Sequence, residues 1–568
     1  MTTGNWLCLI LFPFIITILA YPMGIYMAKV FSGDRTFLSP VIAPVERFLY
    51  RIFTVEPNEE MSWKTYTLCL VLLNVIGIVA LFCLQLIQGW LPFNPQKFGA
   101  VRWDTALNAA VSFGTNTNWQ TYSGERTMSY LTQMMGMTVQ NFISAAIGIV
   151  AVIAVIRGFV RKSAAAIGNF WVDLTRCILY VLLPLVVILS FILVSQGAVQ
   201  TLSPSIEART LEGSKQVIAV GPVASQVAIK QIGTNGGGFF NTNSAHPFEN
   251  PTPLTDFLEV LGLLLIAAAL PFTLGAMLKN RRQGFAVFAA MMILYLTGLG
   301  IFAWTEMRGN PLLEKAGIAS GMNMEGKETR FGVVNSALFA QSTTVTSCGA
   351  VNSMHDSMLP LSGIVLLFNM AIGEVIFGGV GTGLIGMLSY AILTLFLAGL
   401  MIGRTPEFMG KKLELLEMVM AVVIIVTPAI LQLILSSIAV STQAGVASLG
   451  NTGPHGLSEI IYAFASASGN NGSAFAGLNA NTVFYNLTTS LAMLIGRFST
   501  ILPALAIAGN LAEKKIVPES VATFPTASLL FTFMLIAVVI VVGALTFFPV
   551  LTLGPLLEHL LLAIGKTF

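Results

Sequence analysis

The sequence predicts an all-α polytopic membrane protein of ten crossings, built from four related units with one extra helix at each end. Three observations predict it. Of 568 residues, 55 % are hydrophobic and only 10 % charged, with a mean hydropathy of +0.81, where a soluble domain carries about a quarter charged residues. The apolar residues gather into ten runs long enough to cross a bilayer. Between alternate runs a small-residue polar cluster recurs four times.

This composition excludes an ordinary cytosolic enzyme and a disordered chain, which needs low hydrophobicity and high net charge. The net charge of +3 is too balanced to indicate a nucleic-acid partner. Cys8, Cys69, Cys83, Cys177 and Cys348 show no CxxC or metal-ligand spacing, so no disulfide framework is expected. The histidines at 246, 355, 455 and 559 are scattered, which points to neither zinc nor haem.

A hydrocarbon core of ~30 Å takes roughly 20 residues of helix. The expected spans are 6–30, 66–90, 131–156, 177–194, 257–278, 284–304, 361–402, 418–438, 482–508 and 527–548. The first lacks a basic leader and is expected to be a retained helix rather than a signal peptide. Basic residues follow every odd-numbered span: Lys29, Arg35, Arg47, Arg51 and Lys64, then Arg157, Arg161 and Lys162, then Lys279, Arg281 and Arg282. Arg404, Lys411 and Lys412 follow the seventh, and Lys514 and Lys515 the ninth. These short connections are therefore expected to be cytoplasmic, with both termini outside. The units read as an N-terminal helix and connection (1–65), repeats at 66–162, 163–282, 283–412 and 413–515, and a C-terminal helix (516–568).

The other connections each hold a short amphipathic stretch and then a polar cluster. The clusters are Gly-Thr-Asn-Thr-Asn-Trp-Gln (114–120), Gly-Thr-Asn-Gly-Gly-Gly-Phe-Phe-Asn (233–241), Thr-Ser-Cys-Gly-Ala-Val-Asn (346–352) and Ser-Gly-Asn-Asn-Gly-Ser-Ala-Phe (468–475). Plausible helix caps precede them at Asp104, Gly221 with Pro222, Asn335 and Ser458. The repeated unit is thus helix, short re-entrant helix, polar loop, helix. Irregular backbone at membrane depth survives only where protein or a water-filled path satisfies it. Four such loops around a pseudo-fourfold axis present a ring of carbonyl oxygens, fit to replace the hydration shell of a cation. No cluster holds a charged side chain, and a divalent site calls for carboxylates. A dehydrated monovalent cation fits better.

The wording of these clusters closely resembles the four filter segments in the potassium-binding subunits of bacterial Kdp potassium-transporting ATPases, and the likeness runs along essentially the whole chain. That family belongs to the potassium transporters that look like a four-subunit potassium channel fused into one chain. The resemblance implies a channel-like, non-hydrolytic subunit in the bacterial inner membrane. ATP would be used by a separate P-type subunit (B), with a single-span C subunit and a small single-span F peptide completing the pump. Consistently, the chain has neither Asp-Lys-Thr-Gly nor GxxxxGK[ST]. Carried over by position, the implied potassium ligands are backbone carbonyls of Asn116 and Thr117, of Thr234, Asn235 and Gly236, of Ser347, Cys348 and Gly349, and of Gly469, Asn470 and Asn471. In this reading Thr117 stands where the second and third repeats have Gly236 and Gly349, and the fourth repeat is shifted in spacing. The alternative is a stand-alone potassium channel or cation symporter of the same superfamily. An intramembrane hydrolase using Ser473 fails, because no histidine is placed to activate it and GxSxG is absent.

Four further features stand out. Gly378, Gly379, Gly381, Thr382 and Gly383 interrupt the seventh span, either as a small-residue helix contact or as a break beneath the filter that obstructs straight passage. Glu374 and Arg497 lie at membrane depth, where lone charges are costly, and are expected to pair with each other. Arg404 ends a helix, where snorkelling is the default. His355 and Asp356 are expected to cap a helix.

Overall fold

The computed structural model describes residues 3–317, 321–403, 406–518 and 523–566. Among them, ten helices are long and apolar enough to cross a membrane. The chain opens with α1 (Thr3–Ser32). Repeat one comprises α2 (Trp63–Ile87), the re-entrant α3 (Trp103–Gly114) and α4 (Thr132–Val160). Repeat two has α5 (Phe170–Ser195), α6 (Val223–Ile232) and α7 (Pro253–Met277). Repeat three has α8 (Arg281–Met307), α9 (Gly332–Val345), α10 (Pro360–Ala371) and α11 (Thr382–Ile402). Repeat four has α12 (Leu415–Ser441), α13 (Gly453–Gly469) and α14 (Val483–Glu513), and α15 (Leu529–Leu551) follows. Among the described residues, strands are limited to short antiparallel pairs, the longest joining Ile206–Arg209 to Lys215–Ile218.

The two long helices of a repeat differ in what they face. Of the most apolar window, 83 % is buried in α4 but only 22 % in α2. The same order separates α7 from α5, α11 from α8 and α14 from α12. The second helices form the inner wall, and the first helices present apolar side chains outward, as lipid requires. Because lipid gives little hydrophobic drive for helix association, close approach at small residues holds the wall. Gly158 of α4 lies against the backbone of Ala508 in α14, and Gly24 of α1 against Ala269 and Phe272 of α7. The Thr273 hydroxyl donates to the Gly24 carbonyl at 3.1 Å across that second contact.

The seventh span is broken, as its glycines suggest: ten residues of irregular chain separate α10 from α11. Two expectations need correction. Of the expected caps only Pro222 holds that place. Asp104 lies in the first turn of α3, Asn335 one turn inside α9, and Ser458 inside an α13 that already starts at Gly453. Finally, His355 and Asp356 cap nothing. They sit in a single 3-10 turn, and α10 opens without a side-chain cap. His355 Nδ1 bonds the Tyr462 hydroxyl of α13 at 2.7 Å.

Asp356 instead belongs to a clamp. Its carboxylate meets His455 Nε2 at 2.9 Å, while His455 Nδ1 meets Glu558 at 2.8 Å. One imidazolium thereby ties the loop between α9 and α10 and the start of α13 to the C-terminal helical turn. Burial works against its charge, but the two carboxylates outweigh that and push His455 up to about 10, with Glu459 also close by. A histidine raised above its ordinary value adds stability that is complete below about 6.5 and lost as pH rises through about 10. The melting temperature in detergent should therefore fall between pH 6.5 and 10 more steeply in the native chain than in a His455→Gln chain. Parallel curves would show that the clamp carries no charge.

Candidate functional site

Each re-entrant helix ends in the same backbone turn. The residue that leaves the helix adopts a left-handed conformation: Asn116 (φ 66°), Thr234 (φ 47°), Ser347 (φ 49°) and Asn470 (φ 59°). The next residue then donates its N–H to the carbonyl five positions back. These bonds are Thr117 to Ser112 (2.9 Å), Asn235 to Lys230 (2.8 Å), Cys348 to Thr343 (3.2 Å) and Asn471 to Ser466 (2.8 Å). The pair of features fixes one register for all four loops: Asn116-Thr117-Asn118, Thr234-Asn235-Gly236, Ser347-Cys348-Gly349 and Asn470-Asn471-Gly472. Two correspondences therefore differ from those expected. Asn118, not Thr117, matches Gly236 and Gly349, and the fourth segment runs one residue later, because Gly469 is the last residue of α13.

The loops touch in cyclic order. Between the first and second, Asn116 Nδ2 donates to the Thr234 carbonyl at 3.1 Å and Asn235 Nδ2 to Asn116 Oδ1 at 2.6 Å. Between the second and third, the Gly349 N–H donates to the Asn235 carbonyl at 3.3 Å. Asn471 Nδ2 reaches the Thr343 carbonyl at 3.0 Å, joining fourth to third, and Asn470 Nδ2 reaches Thr117 Oγ1 at 2.9 Å, joining fourth to first. Glycines allow this closeness. A Cβ on Gly236 would overlap the backbone of Gly349 and Ala350, and one on Gly472 the carbonyl of Thr117. The four loops form a closed ring, and every one of these residues is buried. The C-terminal ends of four helices, with their partial negative charge, abut it.

Directly against the ring lies the chain between α10 and α11. Gly379 donates its N–H to Ser347 Oγ and Val380 to Thr234 Oγ1, both at 3.0 Å. Phe377 N–H reaches the Val345 carbonyl at 3.2 Å, and Thr382 Oγ1 holds the Gly379 carbonyl at 3.1 Å. Gly381 has φ 102° and faces the Gly148 carbonyl of α4 so closely that a side chain has no room. The glycine run is thus a pinned loop rather than a helix contact. Beside it lies a cavity of about 30 Å³ lined by Ser347, Gly373, Thr382, Ser468, Asn470 and Thr500, which is room for a water or a dehydrated monovalent ion.

Residues 10–560 match the family model described as Potassium-transporting ATPase A subunit. The chain belongs to that family. It is 54 % identical over 568 residues to the potassium-transporting ATPase potassium-binding subunit of Mesorhizobium japonicum, with all of both chains covered. The protein of the same name from Geotalea uraniireducens is 53 % identical over 591 residues, covering 99 % of this chain and all of that one. Among solved structures, the potassium transporter TrkH from Vibrio parahaemolyticus is similar with a TM-score of 0.50 and 14 % identity. That match covers 88 % of this chain and 98 % of that one and concerns the fold.

The expected charge pair does not form. Arg497 of α14 is buried and donates to the Ser144 carbonyl of α4 at 2.9 Å, beside Gly148 and the glycine loop. Glu374 (φ 52°) is buried in the broken segment beside Gly469, and no ion pair links it to Arg497 among the described residues. Arg404 lies outside the described residues. Cys348 is fully buried, its Sγ 3.9 Å from both the Lys230 carbonyl and Gln231 Oε1, so it packs behind the loop. Sequence reasoning missed Asn118 and Gly472, although the doubled Thr-Asn of the first cluster and the Asn-Asn-Gly of the fourth carried the signal.

Replacing Gly381 by alanine should cost about 1–3 kcal/mol, since it forces both a disfavoured φ and a backbone collision. Thermal unfolding in detergent checks this, and an unshifted melting temperature would contradict the pinned geometry.

Proposed function

We propose that this chain is the potassium-binding subunit of a potassium-transporting ATPase, and that potassium is selected in the ring of four loops. The cyclic closure of those loops is the observation that carries the reading. Carbonyls of Asn116, Thr117, Thr234, Asn235, Gly236, Ser347, Cys348, Gly349, Asn470 and Asn471, with Asn118 and Gly472 added by the common register, take the place of an ion's hydration shell. A carbonyl oxygen has two lone pairs, so those already accepting a protein hydrogen bond keep one for the ion. The absence of carboxylates from the loops favours a monovalent over a divalent ion, and the four helix ends supply a diffuse negative field.

The chain selects the ion and leaves hydrolysis to a partner. ATP is used by a P-type subunit (B), assembled with a single-span C subunit and a small F peptide in the bacterial inner membrane. The ring collects potassium from the extracytoplasmic side, with both termini outside, as the basic short connections support. The glycine loop (Gly378, Gly379, Gly381, Thr382, Gly383) obstructs straight passage to the cytoplasm, so uphill delivery depends on the partner's cycle. Glu374, Arg404 and Arg497 are structural or pathway charges, with Glu374 and Arg497 beside that loop. Relatives carrying the pump-subunit name favour this over a stand-alone channel or symporter.

In the assembled complex, Gly236→Asp should raise the potassium needed for half-maximal ATP hydrolysis on the order of tenfold or more and blur discrimination against rubidium and ammonium. The chain should still copurify with a P-type ATPase in fixed ratio. An unchanged potassium requirement would remove Gly236 from the ring of ligands. Failure to copurify any ATPase with the native chain would overturn the pump reading.

A further inference from the structure

The residue whose carbonyl closes each loop turn is Ser112, Lys230, Thr343 or Ser466 in the four repeats. Three of these carry a hydroxyl that ties the re-entrant helix to its own loop. Ser112 Oγ donates to the Trp119 carbonyl at 2.9 Å, the Thr343 hydroxyl donates to the Cys348 carbonyl, and Ser466 Oγ accepts from the Gly472 N–H at 2.9 Å. The second repeat has a lysine there, and its side chain is 0 % exposed.

Lys230 acts through other groups. Its Nζ meets the fully buried carboxylate of Glu249 and lies 2.7 Å from Asn243 Oδ1. Asn243 Nδ2 in turn donates to the Gly236 carbonyl at 2.6 Å. The other Glu249 oxygen accepts the Phe240 N–H at 2.8 Å, just past the loop. An ammonium has three donors and no acceptor, so Asn243 must turn its oxygen toward Lys230. The Ser244 N–H, at 2.9 Å from the same oxygen, demands the same orientation. The amide is locked with its NH2 aimed at Gly236.

We propose that Lys230, Glu249 and Asn243 form a specificity-determining bracket that sets the direction and electron density of the Gly236 carbonyl. This rests on the reading of the ring as the potassium site. The hydrogen bond ties one lone pair of that oxygen and draws density from it, which weakens the field that the Gly236 carbonyl presents to an ion. Field strength at the coordinating oxygens is one basis on which cations of similar size are sorted. All three are positioning residues, acting on the ion only through Gly236.

Two substitutions test this in the assembled ATPase. Asn243→Asp keeps an oxygen toward Lys230 but replaces the donor with an acceptor that repels the carbonyl. Lys230→Met combined with Glu249→Gln removes both charges together, because removing one strands the other in an apolar interior, and it leaves the Asn243 oxygen held by the Ser244 N–H without the ammonium. ATP hydrolysis is measured against potassium and against rubidium. Both variants should assemble, need about tenfold more potassium, and change the rubidium-to-potassium ratio of half-saturation by about threefold or more. A packing defect lowers activity with both ions alike and leaves that ratio unmoved. Gly236→Asp is the control. If it shifts the potassium requirement while both bracket variants keep the native ratio, the bracket is overturned and the ring stands. If Gly236→Asp also changes nothing, Gly236 leaves the ring of ligands and the bracket falls with it. Loss of assembled complex in both variants assigns the three residues to folding and overturns the proposal as well.

Discussion

The structure depends on one constraint: backbone that leaves helical form inside a bilayer must find its hydrogen bonds in protein. Each loop alone fails this test, because its turn satisfies only the N–H groups nearest the helix end. Further bonds come from the neighbouring loop, through Asn116, Asn235, Asn470 and Asn471 and through the Gly349 N–H. Closure of the ring is therefore cooperative. The inner helices exist to keep lipid away from it, and the outer helices to keep the inner ones in place.

That logic explains what the sequence disclosed and what it withheld. Ten spans were legible because apolar length is a property of the chain itself, and the break in the seventh was legible because glycine and threonine accumulate at 378–383. The loop register was not. Glycine looks like the landmark of a left-handed turn, yet here Asn116, Thr234, Ser347 and Asn470 make it, and only the bond five residues back identifies them. Helix starts failed for a related reason: Asp104, Asn335 and Ser458 have capping chemistry, but each helix begins before the chain reaches them. The Glu374 and Arg497 pairing was illegible because it depends on which helix each side chain meets. Arg497 meets a carbonyl of α4 instead.

Part of the buried charge is held in enclosed pairs. Where both partners are fully enclosed, as in Lys230 with Glu249 and Lys327 with Glu306, each ion also takes neutral donors or acceptors. Such enclosure adds little net stability, because desolvation offsets the attraction, but it fixes geometry: breaking either half leaves an unpaired ion in a dry interior. The enclosed pairs sit beside the loops that follow the re-entrant helices, where the backbone is least able to hold itself.

The break between α10 and α11 belongs to the third repeat alone, since α4, α7 and α14 continue unbroken past the equivalent depth. A channel assembled from four identical chains has to repeat any plug in every quadrant and to move all of them in concert. Here, in the proposed reading, a single quadrant carries it. The obstruction is anchored in one wall, and displacing it releases its bonds to Ser347 and Thr234 and its contact with Gly148 of α4. Any opening made in this way is eccentric, directed toward one flank of the molecule instead of along the axis.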